Sequence, residues 1–176
     1  MDELKNQQCP VCGKPKAVLR DEEIDVPYFG KTFVFSICCG DCGFSKSDIE
    51  AAEERDPVKI TFETNSDKDM KIRIVKSSQA LVKIPTLRMS MEPGEGSDGF
   101  ISNIEGLIGK FEKVIESQRD SSDDPSVKKS AKNLLKKIWK IKLGDIPVKI
   151  MIEDPSGNSA IISDKSNVEK LKIKKK

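Results

Sequence analysis

Two segments of the chain repeat one pattern, Cys9-Pro10-Val11-Cys12-Gly13 and Cys39-Gly40-Asp41-Cys42-Gly43, with 26 residues between Cys12 and Cys39. A CxxC turn lets two thiolates reach one ion, and a small residue after it lets backbone amides turn toward the sulfurs. Two such turns supply four ligands and close a tetrahedral site, which marks a structural metal and not a catalytic one. The pattern favours zinc, although a rubredoxin-like iron site uses the same paired turns. A redox CxxC belongs where a strand passes into a helix in a βαβ unit, and it would leave one pair unexplained. Cys38 could pair with Cys42 only through a CxxxC turn, so Cys39 is the better ligand. Cys38 is then expected to point away as a small buried or half-buried side chain.

There is no histidine among the 176 residues. Ser-His-Asp and Cys-His catalysis are excluded, as is any His-ligated metal, so the ion must be held by sulfur. Gly94-Glu95-Gly96-Ser97-Asp98-Gly99 is a literal GxGxxG. It carries two acids that would repel a pyrophosphate and lies in no βαβ unit, so it reads as a mobile loop. Gly106 to Lys110 lacks the spacing and the Ser/Thr of a P-loop. No catalytic residues are assigned, and the protein reads as a non-enzyme.

Elements must bring the cysteine pairs together. Between them Phe33, Phe35 and Ile37 alternate at strand period, so residues 9–43 read as a zinc ribbon. Residues 44–57 read as a connector with a helical turn near Ala51 to Glu54. Short strands are expected at 58–63, 70–75, 81–84 and 87–91. Two helices follow, at about 103–118 and 125–142. The first opens on a capping box, Ser102-Asn103-Ile104-Glu105, and the second on Asp124-Pro125; Gly144 stops the second. The strand from Val148 should turn at Asp154-Pro155-Ser156-Gly157 and return through Ala160 to Ile162 as a hairpin. Residues 163–176 read as a flexible, lysine-rich tail after a β-rich domain spanning 58–162.

Apolar residues make up 36% of the chain and charged residues 34%, a modest apolar supply that a structural metal would supplement. Thirty-one basic and 29 acidic side chains leave a net charge of +2. By segment, 9–43 sums to −1 and 163–176 to +4, which assigns the excess to the tail and argues against a basic nucleic-acid-binding finger. The chain has no apolar run long enough to span a bilayer and starts on polar residues. A cytoplasmic protein is expected, in which paired cysteines bind metal more often than they form disulfides.

The order CPVCG, VPYFGKTFVFSICCGDCGF, IVKSSQALVKIPTLRMSMEPG, ISNIEGLIGKFE and DPSGNSAI resembles the ZPR-one zinc-finger family over about residues 9–162. The chain is similar to the single-copy form found in archaea, whereas eukaryotic members carry two tandem copies. The resemblance implies an α+β fold: a four-cysteine zinc ribbon, then a β-rich domain similar to a double-stranded β-helix with packed helices. It implies zinc on Cys9, Cys12, Cys39 and Cys42. It also implies a chaperone-like role toward translation elongation factor 1-alpha. Tyr28 and Phe29, in the turn before the long strand, are candidate partner-binding residues. The alternative is a zinc-ribbon protein that binds RNA, the ribosome or the transcription machinery, with the lysine-rich tail giving a weak, salt-sensitive contact.

Overall fold

In the computed structural model, residues 2–26, 30–51, 55–94 and 96–172 are described. The N-terminal unit is one antiparallel sheet of β1 (Asp2–Gln7), β2 (Ala17–Val26), β3 (Gly30–Cys39) and β4 (Ser45–Ala51), in that order. It is wider at both ends than the expected 9–43 ribbon. β1 covers the outer edge of β2, with Leu4 opposite Leu19. β4 covers β3 from Cys38↔Ser45 to Thr32↔Ala51. The segment 44–57 is therefore largely strand, because the outer edge of β3 offers a row of backbone groups that a following strand can pair. Of the expected helical turn, Ala51 ends β4 and 52–54 lie outside the described residues, as do Tyr28 and Phe29.

The second unit holds a five-stranded and a three-stranded sheet. The larger takes the order β12 (Asn167–Lys170), β5 (Val58–Glu63), β10 (Lys149–Asp154), β7 (Leu81–Ile84) and β8 (Met89–Met91). The smaller is β11 (Ala160–Ile161), β6 (Arg73–Lys76) and β9 (Phe100–Asn103). Alternation along β5, β7 and β10 buries Ile60, Phe62, Val82, Ile84, Ile150 and Ile152 in one core. The helices α1 (Ile104–Ser121) and α2 (Pro125–Lys142) close that core with Leu107, Ile108, Ile138 and Ile141.

Several local expectations shift. The α1 cap is Asn103, whose Oδ1 accepts the Gly106 N–H at 2.7 Å, and not Ser102. Asp124 caps α2 through the Ser126 N–H at 2.7 Å. A 3-10 turn at Asp67–Lys71 takes up the start of the expected 70–75 strand. Another at Pro85–Leu87 breaks the expected 87–91 strand, because Pro85 has no N–H to pair. The Asp154 to Gly157 turn forms, with Gly157 N–H donating to Asp154 O at 3.3 Å. No hairpin follows it: β11 pairs with β6 in the smaller sheet, while both edges of β10 are taken by β5 and β7. The tail is ordered through Asn167–Lys170, which pairs along β5, and the Leu171 N–H donates to Pro57 O at 2.9 Å.

Two motif segments meet where the sheets join. The Ser77 N–H donates to Ser159 Oγ (3.0 Å), whose hydroxyl donates to Asp154 Oδ2 (2.6 Å), while Ser156 Oγ donates to Asp154 Oδ1 (2.7 Å). Lys76 is 1% exposed and donates to Ser77 O at 2.8 Å. Its burial pushes the ammonium pKa down, against the pull of Asp154. The network pins β6 to β10, so these motifs serve the fold. The GxGxxG loop is anchored as well. Gly99 N–H donates to Asp48 Oδ1 on β4 at 2.8 Å, and Lys46 pairs with Asp98 at 3.0 Å. Together with Ile24, which packs on Val75 of β6 as Ala160 and Ile162 do, the loop ties the finger to the second unit.

Candidate metal centre

Each cysteine pair sits on a tight turn built in the same way. Gly13 N–H donates to Cys9 O (2.9 Å) and Cys9 N–H to Lys14 O (3.0 Å) in the first; Gly43 N–H donates to Cys39 O (3.1 Å) and Cys39 N–H to Phe44 O (2.7 Å) in the second. Gly13 and Gly43 adopt φ of +70° and +72°, the left-handed region that glycine enters without a Cβ penalty. β2 and β3 carry the turns to the same end of the sheet, with Ala17 opposite Cys39, and Gly40 N–H donates to Lys16 O at 3.0 Å.

The four Sγ atoms of Cys9, Cys12, Cys39 and Cys42 all lie within 4.8 Å of one another. Cys9 and Cys42 are 3.7 Å apart at sulfur, as are Cys12 and Cys39. A tetrahedron with Zn–S bonds of about 2.3 Å has edges of about 3.8 Å, so the geometry fits one ion. The electrostatics suit a cation. N–H groups of Cys42 and Asp41 bring Cys39 down to about 7. The Phe44 N–H favours the Cys42 thiolate, yet burial and the hydrogen bonds with Cys12, Cys39 and Cys9 push Cys42 up to about 12. Four sulfurs this close cannot all be anionic unless a cation offsets their repulsion, and a zinc ion does so. Cys38 faces Ser45 Oγ at 3.4 Å on the surface. It is exposed and not half-buried, since β4 at that end presents only a serine to cover it.

The family model of the ZPR1 zinc-finger domain matches residues 3–57, and that of the ZPR1 jelly-roll domain matches residues 68–176. The chain belongs to the ZPR1 family. A ZPR1-like protein of Methanocaldococcus jannaschii is 34% identical over 181 residues, covering 98% of this chain and 91% of that protein. A ZPR1-like protein of Pyrococcus horikoshii is 33% identical over 175 residues, 97% of this chain and 78% of its own length. The zinc finger chaperone zpr1 of Schizosaccharomyces pombe is 30% identical over 142 residues, with 77% of this chain aligned to 30% of that protein. As a ZPR1 module, the chain combines a four-cysteine zinc finger and a jelly roll in a mixed α+β fold. No helix among the described residues is long and apolar enough to cross a membrane.

Proposed function

We propose that the protein is a non-enzymatic, chaperone-like factor that binds translation elongation factor 1-alpha in the cytoplasm, and that the open face of the finger sheet receives it. The observation behind this reading is a groove of about 720 Å³ on that sheet, lined among others by Leu4, Leu19, Phe35 and Ile37. Leu4 is 62% exposed, Leu19 38% and Phe35 40%, a concentration of apolar surface that a free monomer has reason to cover. Strand register sets Ile37 beside Leu19 and Leu4, and flanks Phe35 with Asp21 and Asp48 and Phe33 with Glu23 and Glu50. Lys46 stands opposite Ile37, but the four carboxylates around Phe33 and Phe35 suit a client segment that is both apolar and basic. The filled zinc site holds the strands that carry these residues. Four reduced thiolates suit a cytoplasmic setting.

The test is a pull-down with purified elongation factor 1-alpha and the zinc-loaded chain. Leu19→Ser with Phe35→Ser should weaken binding by about tenfold or more, the scale of a hot-spot loss. Tyr28→Ala with Phe29→Ala asks whether the residues between β2 and β3 add an anchor. No capture of the wild type at micromolar concentration removes the partner. Capture unaffected by the Leu19 and Phe35 changes removes the surface.

A further inference from the structure

Helix α2 carries seven lysines and no acid, so positive charge is not confined to the tail. Two of the seven serve the fold: Lys137 donates to Thr86 O at 2.6 Å, and Lys142 pairs with Glu112 of α1. Lys128, Lys129, Lys132, Lys136 and Lys140 are exposed, and no salt bridge is formed by any of them among the described residues. Lys128, Lys132, Lys136 and Lys140 recur every fourth residue, a ladder stepping about 6 Å along the axis and about 18 Å long. Trp139 is 59% exposed and Leu143 50% exposed, and at 100° per residue both fall within the same arc as the lysines. The opposite face is spent on the core through Ala131, Ile138 and Ile141.

This face works against the helix that bears it. Like charges at i,i+4 repel, and Lys128 and Lys129 in the first turns oppose the helix dipole. Asp124 at the cap and Asp120 near Lys128 offset part of this at the N-terminal end, but Lys132, Lys136 and Lys140 form no salt bridge among the described residues, and a polyanion would offset their repulsion. We infer that the exposed face of α2, from Lys132 to Leu143, binds single-stranded RNA, with the lysine ladder following successive phosphates and the Trp139 indole stacking on a base. Three features favour RNA over an acidic protein. The charges are evenly spaced along a line, as a nucleic-acid backbone repeats its own. An exposed indole among lysines is the arrangement of a stacking platform. No carboxylate, and only the amide of Asn133, lies within the Lys132–Leu143 stretch to read a protein's donors. The apolar face of α2 is already packed, which leaves only Trp139 and Leu143 to meet a membrane, less than the continuous apolar face of an interfacial helix. Asp123 and Asp124 stand at the N-terminal end, so the strand is met from Lys132 onward.

Trp139 is the only tryptophan, so its fluorescence reports the site directly. The experiment titrates the full-length, zinc-loaded chain with oligouridylate at several salt concentrations. Binding should quench Trp139, and log K should fall with log salt with a slope of about −0.7 per phosphate neutralised, roughly −2 to −3 in all. The triple variant Lys132→Gln, Lys136→Gln, Lys140→Gln should reduce that slope by about 2. Trp139→Ala, followed with end-labelled RNA, should weaken binding about 5- to 150-fold, the worth of one stacked base. The triple variant should melt no lower than the wild type, since it relieves repulsion. A lower melting temperature would show that the lysines serve the fold and overturn the inference. So would binding without a Trp139 response, a preference for duplex, or equal quenching by polyglutamate, which would point to an acidic protein. Loss of binding on changing Lys172, Lys174, Lys175 and Lys176 to Gln, with the α2 triple variant unaffected, would move the contact to the tail.

Discussion

Stripping the zinc is expected to unfold the two cysteine turns and leave the jelly roll standing. The size of the effect follows from how little else holds the turns. The finger's buried cluster around them is Cys9, Ala17 and Cys39, with Cys12, Ile37 and Phe44 partly buried against it. The jelly roll's cluster contains twenty buried side chains, Phe62 and Phe111 among them. Ordering roughly a dozen turn residues costs on the order of 12–24 kcal/mol of backbone entropy, while a structural zinc contributes about 10–16 kcal/mol. Three small buried side chains add only about 1 kcal/mol each. Without the ion the ordering cost is unmet, and the thiols, no longer drawn to a cation, reprotonate. Hydrogen exchange before and after chelation is the assay. The amides of Gly13, Cys39 and Gly43, each donating within its turn at 2.7–3.1 Å, should lose protection. The amides of β5 and β10, paired across six registers, should keep it. Cys39→Ser should reproduce the loss, whereas Cys38→Ser, at a surface thiol, should change nothing. Native protection of the turn amides after verified removal of the metal would refute the reasoning. Joint loss of protection in β10 would refute the independence of the two units.

Three further outcomes can be checked by thermal or chemical denaturation. Gly157→Ala should destabilise by more than about 2 kcal/mol, because at φ +70° its Cβ would meet Asp56 O at 2.3 Å and Arg55 Cβ at 2.7 Å. Gly43→Ala, with φ +72° and open space around the added Cβ, should cost only about 1 kcal/mol and retain zinc; equal costs at the two sites would contradict this. Asp154→Asn should cost about 1–3 kcal/mol, since an amide cannot accept all three donors that the carboxylate takes from Ser156 and Ser159. Asp69 is held below its ordinary 3.8 by the Asn65 N–H and by Lys165, with the Ser66 N–H adding to them. Its contribution to stability is therefore full above about pH 4 and is lost as pH falls below 3.8 toward the depressed native value. Asp69→Asn should flatten that part of the acid-denaturation profile, and an unchanged profile would count against the assignment.

Features that depend on a few neighbouring residues were legible in the chain. The CxxCG spacing named four ligands and left Cys38 aside. Pro125 after Asp124 marked the start of α2, and the Pro155-Ser156-Gly157 turn formed where its residues require it. The lysine period at 128, 132, 136 and 140 is equally visible, yet acids elsewhere in residues 44–162 balance it in the net charge. Other features depended on which edge stood open. Ser45–Ala51 has little strand character of its own and reads as a connector, yet the outer edge of β3 recruits it as β4. β11 follows a good turn but finds β6 and not β10, because β5 and β7 already occupy both edges of β10. The same logic orders Asn167–Lys170 against β5.

The sequence by itself determined the chemistry: with four paired cysteines and no histidine, any metal had to be held by sulfur in a closed site. It also determined the helices, whose apolar periodicity is local. Only the tertiary structure decided which strands share a sheet and that Asp98 and Gly99 dock on β4. It likewise decided that Leu19 and Phe35 remain open while Ile24 is covered. Those outcomes depend on backbone edges and apolar faces finding partners far along the chain, and residue identity constrains that pairing only weakly.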